Sequence, residues 1–156
     1  MKKYLLPVGI MVLTLGWMLV IFGFSAQSGT ESSGLSAVLS KPLTRLVMRF
    51  VDDSSSEAEV YLQVDLVVRK VAHFTEYAIL GGLLTLLFRC IRVRKLYLPV
   101  LIGALYAVTD EWHQSFSPGR VSAGMDVLID TCGVLVGTLL CTAILHIWRK
   151  KHVHDQ

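Results

Sequence analysis

The chain has 156 residues, 53% hydrophobic and 17% charged, with a net charge of +3. Soluble domains average about 45–50% apolar and about 25% charged residues. Here the apolar excess lies in a few long runs and mean hydropathy reaches +0.57, the pattern of one membrane domain rather than a large soluble core. The basic residues sit in short clusters beside those runs, as topology signals do, and form no stripe for nucleic acid. No nucleic-acid partner is expected. Cys90, Cys132 and Cys141 fall at or inside apolar segments without CxxC or zinc-finger spacing, so they are read as small buried residues and imply no disulfide framework.

Met1-Lys2-Lys3 precedes an uncharged run from Tyr4 to Phe24, long enough to span a hydrocarbon core of about 30 Å. Signal-peptide apolar regions are shorter, about 7–15 residues, and prefer small residues before the cleavage site. Phe24-Ser25-Ala26 puts a bulky residue there, so an uncleaved first span, about 4–24, is expected. The Ser- and Gly-rich segment 25–40 reads as a loop leaving the membrane. Leu39, Leu43, Leu46, Val47 and Phe50 then recur at helical spacing, with Lys41, Arg45 and Arg49 opposite. That pattern predicts a short amphipathic helix, lying either in the headgroup plane or on the protein's own surface. Residues 52–59 form an acidic connector, and Glu57 to Lys70 continues into the second span without a breaker.

The second span is expected at about 71–88, the third at about 96–112 and the fourth at about 125–148. Between the second and third lies a basic turn with Arg89, Arg92, Arg94 and Lys95, and Arg149, Lys150 and Lys151 follow the fourth. With Lys2 and Lys3, these clusters fall on one side of a four-span protein. The positive-inside rule makes that side the cytoplasm and puts both termini there. The expected fold is therefore all-α: a single domain over residues 1–156, an integral membrane bundle of four helices. Loop 25–70 is extracytoplasmic and carries the short amphipathic helix.

Two polar clusters interrupt the apolar pattern. RKVAHFTEYAILGG, from Arg69 to Gly82, opens the second span, and YAVTDEWHQSFSPGRVSAGMDVLIDTCGVLVG, from Tyr106 to Gly137, joins the third to the fourth. With the orientation above, His73, Glu76, Asp110, Glu111, His113, Asp126 and Asp130 all fall at the extracytoplasmic ends of their spans. Ionisable groups in a membrane domain are expensive and mark function by default. Asp126 and Asp130 are spaced i, i+4, and Gly133 and Gly137 continue their face. A GxxxG pair admits a neighbouring backbone, so this face is expected to point into the bundle.

Three chemistries fit these residues. A mixed His/Asp/Glu set suits zinc or manganese, which leaves a divalent metal open as cofactor. Arg69, Lys70 and Arg120 could clamp a phosphate while a carboxylate or histidine serves as general acid or base. Alternatively, the ions pair with one another and only fix helix register. His113, near the interface, reads more simply as a hydrogen-bonding residue than as a ligand, and His146, His152 and His154 as solvated tail.

The same stretches carry a family resemblance. FSAQSG (Phe24–Gly29), RKVAHFTEYAILG (Arg69–Gly81), YAVTDEWHQSFSPGR (Tyr106–Arg120) and DVLIDTCGVLVG (Asp126–Gly137) resemble, in order, the VanZ-like family of bacterial membrane proteins. That family is named for a teicoplanin-resistance protein. The resemblance implies a multi-pass protein of the bacterial cytoplasmic membrane. It ties His73, Glu76, Asp110, Glu111, His113, Gln114, Arg120, Asp126 and Asp130 to the family signature. The expected partners are membrane lipids and an anionic lipid-linked or envelope molecule, with an effect on glycopeptide susceptibility. Catalytic roles are expected for His73, Glu76, Asp110, Glu111, His113, Asp126 and Asp130, and substrate contacts for Arg69, Lys70, Tyr77, Gln114 and Arg120. The enzymatic version is a hydrolase or transferase on a lipid-linked phosphate. The non-enzymatic version is an envelope interaction or antibiotic-exclusion protein.

Overall fold

The computed structural model describes residues 2–51, 56–118 and 124–154. Among them the regular elements are all α-helices: α1 (Lys2–Ser25), α2 (Gly29–Val47), α3 (Glu57–Cys90), α4 (Tyr97–Gln114) and α5 (Gly124–His154). Helices α1, α3 and α5 are long and apolar enough to cross a membrane. Their surfaces fit that setting. Leu5, Leu13 and Leu19 of α1, Leu101 and Leu105 of α4, and Leu139 and Leu140 of α5 are each more than half exposed. Helix α4 has 18 residues, and Asp110, Glu111, His113 and Gln114 occupy its last turns, so its apolar length stops at Thr109.

Contacts between helices give their directions. Lys70 meets Asp126 and His73 faces Asp130, while a Cβ on Gly133 or Gly137 would collide with the backbone of Phe74 or Ala78. The near-constant offset between partners means that α3 and α5 run parallel. Likewise the Tyr106 hydroxyl donates to the Met18 carbonyl at 2.6 Å and Ser25 reaches Asp110, so α1 and α4 run parallel. Gly103 lies against Val134 and Asp110 lies near Asp130, which sets α4 antiparallel to α5. The four helices thus alternate in direction. Ile21, Tyr77, Leu80, Leu84, Ala107 and Val134 form the buried core, and Trp17 ties α1 to α3 by donating from Nε1 to the Glu76 carbonyl at 2.9 Å.

The segment read as a loop at 25–40 is mostly helix, and α2 begins at Gly29. Two local features outweigh its Ser/Gly composition. Ser28 and Glu31 form a reciprocal capping box, which satisfies backbone donors at the first turn. Further along, Ser36 and Ser40 turn inward and donate to Asp65 Oδ1 at 2.6 and 2.7 Å, while Ser40 and Thr44 are buried. The amphipathic helix is therefore longer than expected and packs on α3 through hydroxyls, leaving Val38, Leu39 and Leu43 outward. Helix α3 starts at Glu57, and Glu57 to Lys70 continues into the bundle without a breaker as the sequence indicates. At 34 residues it extends about 51 Å, well beyond a bilayer core of about 30 Å, so its first half forms a hairpin with α2. Cys132 is exposed on α5, not buried as expected, and Cys90 and Cys141 are half-buried.

Candidate functional site

The polar clusters at positions 69–82 and 106–130 meet at one end of the four-helix bundle, where α1 and α4 finish, α5 begins and α3 passes through. Asp110 lies at its centre with only 2% of its surface exposed. Ser25, the last residue of α1, donates to Asp110 Oδ2 at 2.6 Å. Gln114, one turn further along α4, donates from Nε2 to Ser25 Oγ at 2.9 Å and to Asp110 Oδ2 at 3.2 Å. One carboxylate oxygen is thus held by two donors from two helices. The other, Oδ1, is buried without a hydrogen-bond partner.

Asp130, on the inward face of α5, is buried at 1% exposure. Its Oδ1 lies 4.0 Å from His73 Nδ1, beyond hydrogen-bond length. The helix face predicted from the i, i+4 spacing and the following glycines does point inward, because Gly133 and Gly137 let α3 come into backbone contact just below Asp130. His73, Asp110 and Asp130 each offer one ligand atom, and these atoms all lie within 4.8 Å of one another. Asp130 is also within electrostatic reach of Asp126, Glu111 and Glu76. Tyr77 is fully buried in α3, its ring 6.1 Å from that of Tyr106; its hydroxyl neighbours the Asp110 carboxylate without a formed hydrogen bond and lies within electrostatic reach of Asp130.

The cations are placed more peripherally. Lys70 pairs with Asp126 across α3 and α5, both partly exposed. Arg69 Nε lies 3.3 Å from Asp65 Oδ2, which binds it to the α2–α3 hairpin. His113 stacks on Phe22 with ring centroids 4.2 Å apart, on the α1 side. Glu111 is buried, and Glu76 is half-buried beside Trp17. Arg120 lies outside the described residues.

Sequence reasoning missed Ser25, Asp65, Ser36 and Ser40. Ser25 stood in the FSAQSG stretch, but its partner is 85 residues away. Asp65 is buried at 3%, and its spacing from Arg69, i and i+4, was the available signal.

Two cavities adjoin the cluster between α1, α2 and α3. One of about 210 Å³ is lined by Phe24, Gln27, Ser36, Arg69, His73 and Glu76 among others. The second, about 520 Å³, is mostly apolar and lined by Trp17, Leu43, Val67, Val71 and Ile79, with Glu76 at its edge. The two share Leu39, Val68, Ala72 and Glu76. At the far end of the bundle Arg89, Arg94, His146 and Arg149 gather around a separate cavity.

Apolar, outward-facing helices around a polar cluster at one bundle end define a helical membrane protein with an internal polar site. The family model VanZ/LLP1 matches residues 10–146, and the chain belongs to that family. Searches of curated proteins and of solved structures find no match.

Proposed function

We propose that this protein crosses the bacterial cytoplasmic membrane four times and acts as a hydrolase or transferase on an anionic lipid-linked phosphate at the extracytoplasmic face. The fourth crossing is α4. Parallel α3 and α5 require the chain to return across the same depth between them, and α4 is the element that does so. The basic end with Arg89, Arg94 and Arg149 is the cytoplasmic one by the positive-inside rule, which makes the polar end extracytoplasmic and both termini cytoplasmic.

The observation that carries the substrate class is the continuity of the two cavities. An apolar groove opening between α1, α2 and α3 runs into a smaller pocket, also largely apolar, whose polar end carries Arg69, His73 and Glu76. An amphiphile fits that shape, with its chain in the groove and its headgroup at the polar end. Arg69, Lys70 and Arg120 hold the anionic group. His73 moves the proton, with Asp130 orienting and stabilising its imidazolium, as a carboxylate does for a histidine base. Glu76, Asp110, Glu111 and Asp126 position the attacking water or acceptor, Gln114 fixes Asp110, Tyr77 orders the polar floor, and His113 is the alternative proton carrier.

The test is turnover of a panel of lipid-linked mono- and diphosphates by the purified chain in nanodiscs, followed by mass spectrometry of the products. Headgroup cleavage or transfer is expected, with Asp130→Asn and His73→Gln each slowing it by about 10²–10⁴-fold, the range of a lost general base. Folded wild type that is inert across the panel overturns the reading. The internal pairing of Lys70 with Asp126 and of Ser25 and Gln114 with Asp110 favours a second reading, in which the cluster is structural. The protein then alters teicoplanin susceptibility by envelope interaction or antibiotic exclusion. Near-isosteric changes such as Asp130→Asn separate the two, abolishing an enzyme's effect in cells and sparing a scaffold's.

A further inference from the structure

We propose that His73, Asp110 and Asp130 bind one divalent transition-metal ion. The inference concerns the same pocket as the function above and rests on that reading only for what the ion does there. With an ion bound His73 is a neutral ligand and the proton passes to His113, the alternative carrier, while where the ion binds follows from the side chains. The three residues come from α3, α4 and α5 and converge to within 4.8 Å of one another, so no i, i+4 repeat on a single helix produces the cluster. In a loaded tetrahedral shell with bonds of about 2.1 Å, ligand atoms stand about 3.4 Å apart. Modest side-chain rotations close the observed set onto an ion.

Two further observations point to a ligand. Asp110 Oδ1 is buried and forms no hydrogen bond, nor does the Tyr77 hydroxyl that neighbours this carboxylate, although Oδ2 of the same carboxylate takes donors from Ser25 and Gln114. Metal-bound carboxylates are held in this way, one oxygen oriented by an outer shell and the other presented to the ion. Asp130 Oδ1 is also buried without a hydrogen bond. The second observation is charge. Asp130 lies within reach of Asp110, Asp126, Glu111 and Glu76, whereas Lys70 is engaged by Asp126 and Arg69 by Asp65. Among the described residues, burying like charges this close together is costly, and a divalent cation offsets that cost. One imidazole nitrogen with two carboxylate oxygens suits zinc or manganese better than the all-oxygen shells of calcium and magnesium.

The experiment uses the full chain in nanodiscs, stripped with chelator, then titrated with Mn²⁺ and followed by electron paramagnetic resonance, with Zn²⁺ as competitor. One Mn²⁺ per chain, displaced by Zn²⁺, is expected, with affinity at least tenfold weaker in Asp110→Asn, Asp130→Asn and His73→Gln. Melting temperatures of the metal-free variants serve as the fold check. The two Asn variants are expected to equal or exceed stripped wild type, because each removes a buried negative charge. Metal stabilises wild type and not the variants. Absence of stoichiometric Mn²⁺ or Zn²⁺ uptake by folded wild type overturns the site, as does unchanged uptake in folded Asp110→Asn and Asp130→Asn. Metal bound without any lipid turnover contradicts the enzymatic reading alone, and lipid turnover by folded protein that takes up no metal contradicts the metal site alone.

Discussion

Asp110 shows how much of this site depends on single atoms. Its Oδ2 accepts from Ser25 at the end of α1 and from Gln114 on its own helix, so Ser25→Ala removes the only donor that α1 supplies to that oxygen. Loss of a hydrogen bond to a buried group costs about 1–3 kcal/mol, and a drop of that order is expected in denaturant titrations of the detergent-solubilised protein. The pair was invisible in the sequence because Ser25 sat in a stretch whose Ser/Gly content read as a loop and its partner is far along the chain. His73, Asp110 and Asp130 were legible, since ionisable residues stand out against apolar runs. Arg69 was legible as a cation, but not as the partner of Asp65, because nothing in the sequence set α2 beside α3.

Glu31 makes a second prediction at this scale. Hydrogen bonds from the Ser28 backbone and hydroxyl hold its carboxyl below the ordinary value of 4.5. A lowered folded-state value stabilises the cap fully above the unfolded-state value, and the contribution is lost as pH falls through the folded one. Hydrogen-exchange protection of the first turn of α2 is therefore expected to drop below about pH 4.5. In Glu31→Gln that dependence should be absent.

Among the elements, the α3–α5 pair is the least tolerant. Cβ atoms on Gly81, Gly133 and Gly137 would strike the backbone of the opposite helix, and backbone cannot move aside as a flexible side chain can. Gly137→Leu is expected to prevent the two helices from closing, with a loss exceeding the roughly 1–3 kcal/mol of ordinary overpacking. Gly9→Ala on α1, where nothing lies within 4 Å, should be neutral or raise the melting temperature, since alanine is favoured by about 1 kcal/mol inside a helix. Comparing the two melting temperatures separates close packing from glycine content. The turn after α3 gives the opposite sign. Arg92 has φ of 65°, a left-handed conformation that costs a non-glycine residue about 1–2 kcal/mol, so Arg92→Gly is expected to stabilise. The Gly133/Gly137 face was readable from spacing alone. The extent of α2 was not, because its inward face is built from serine and threonine, which no hydrophobic periodicity reveals.

At the scale of the whole molecule, the alternating direction of α1, α3, α4 and α5 places the polar site and the basic cluster at opposite ends. The sequence indicated that polarity through its lysines and arginines. The unbroken run from Glu57 was also legible, and α3 follows it from the hairpin into the bundle; length alone does not say where along it lipid begins. The proposed function requires that α4 crosses the membrane and that the site faces outward. One measurement addresses both: a cysteine-free protein, with Cys90, Cys132 and Cys141 replaced, carries Ser117→Cys or Arg94→Cys and is treated in intact cells with a membrane-impermeant thiol reagent. Ser117 follows α4 beside the site and Arg94 precedes α4 at the basic end. Labelling of Ser117→Cys in intact cells, with Arg94→Cys labelled only after permeabilisation, is the expected result. Labelling of both positions from the same side, or the reverse pattern, would contradict it.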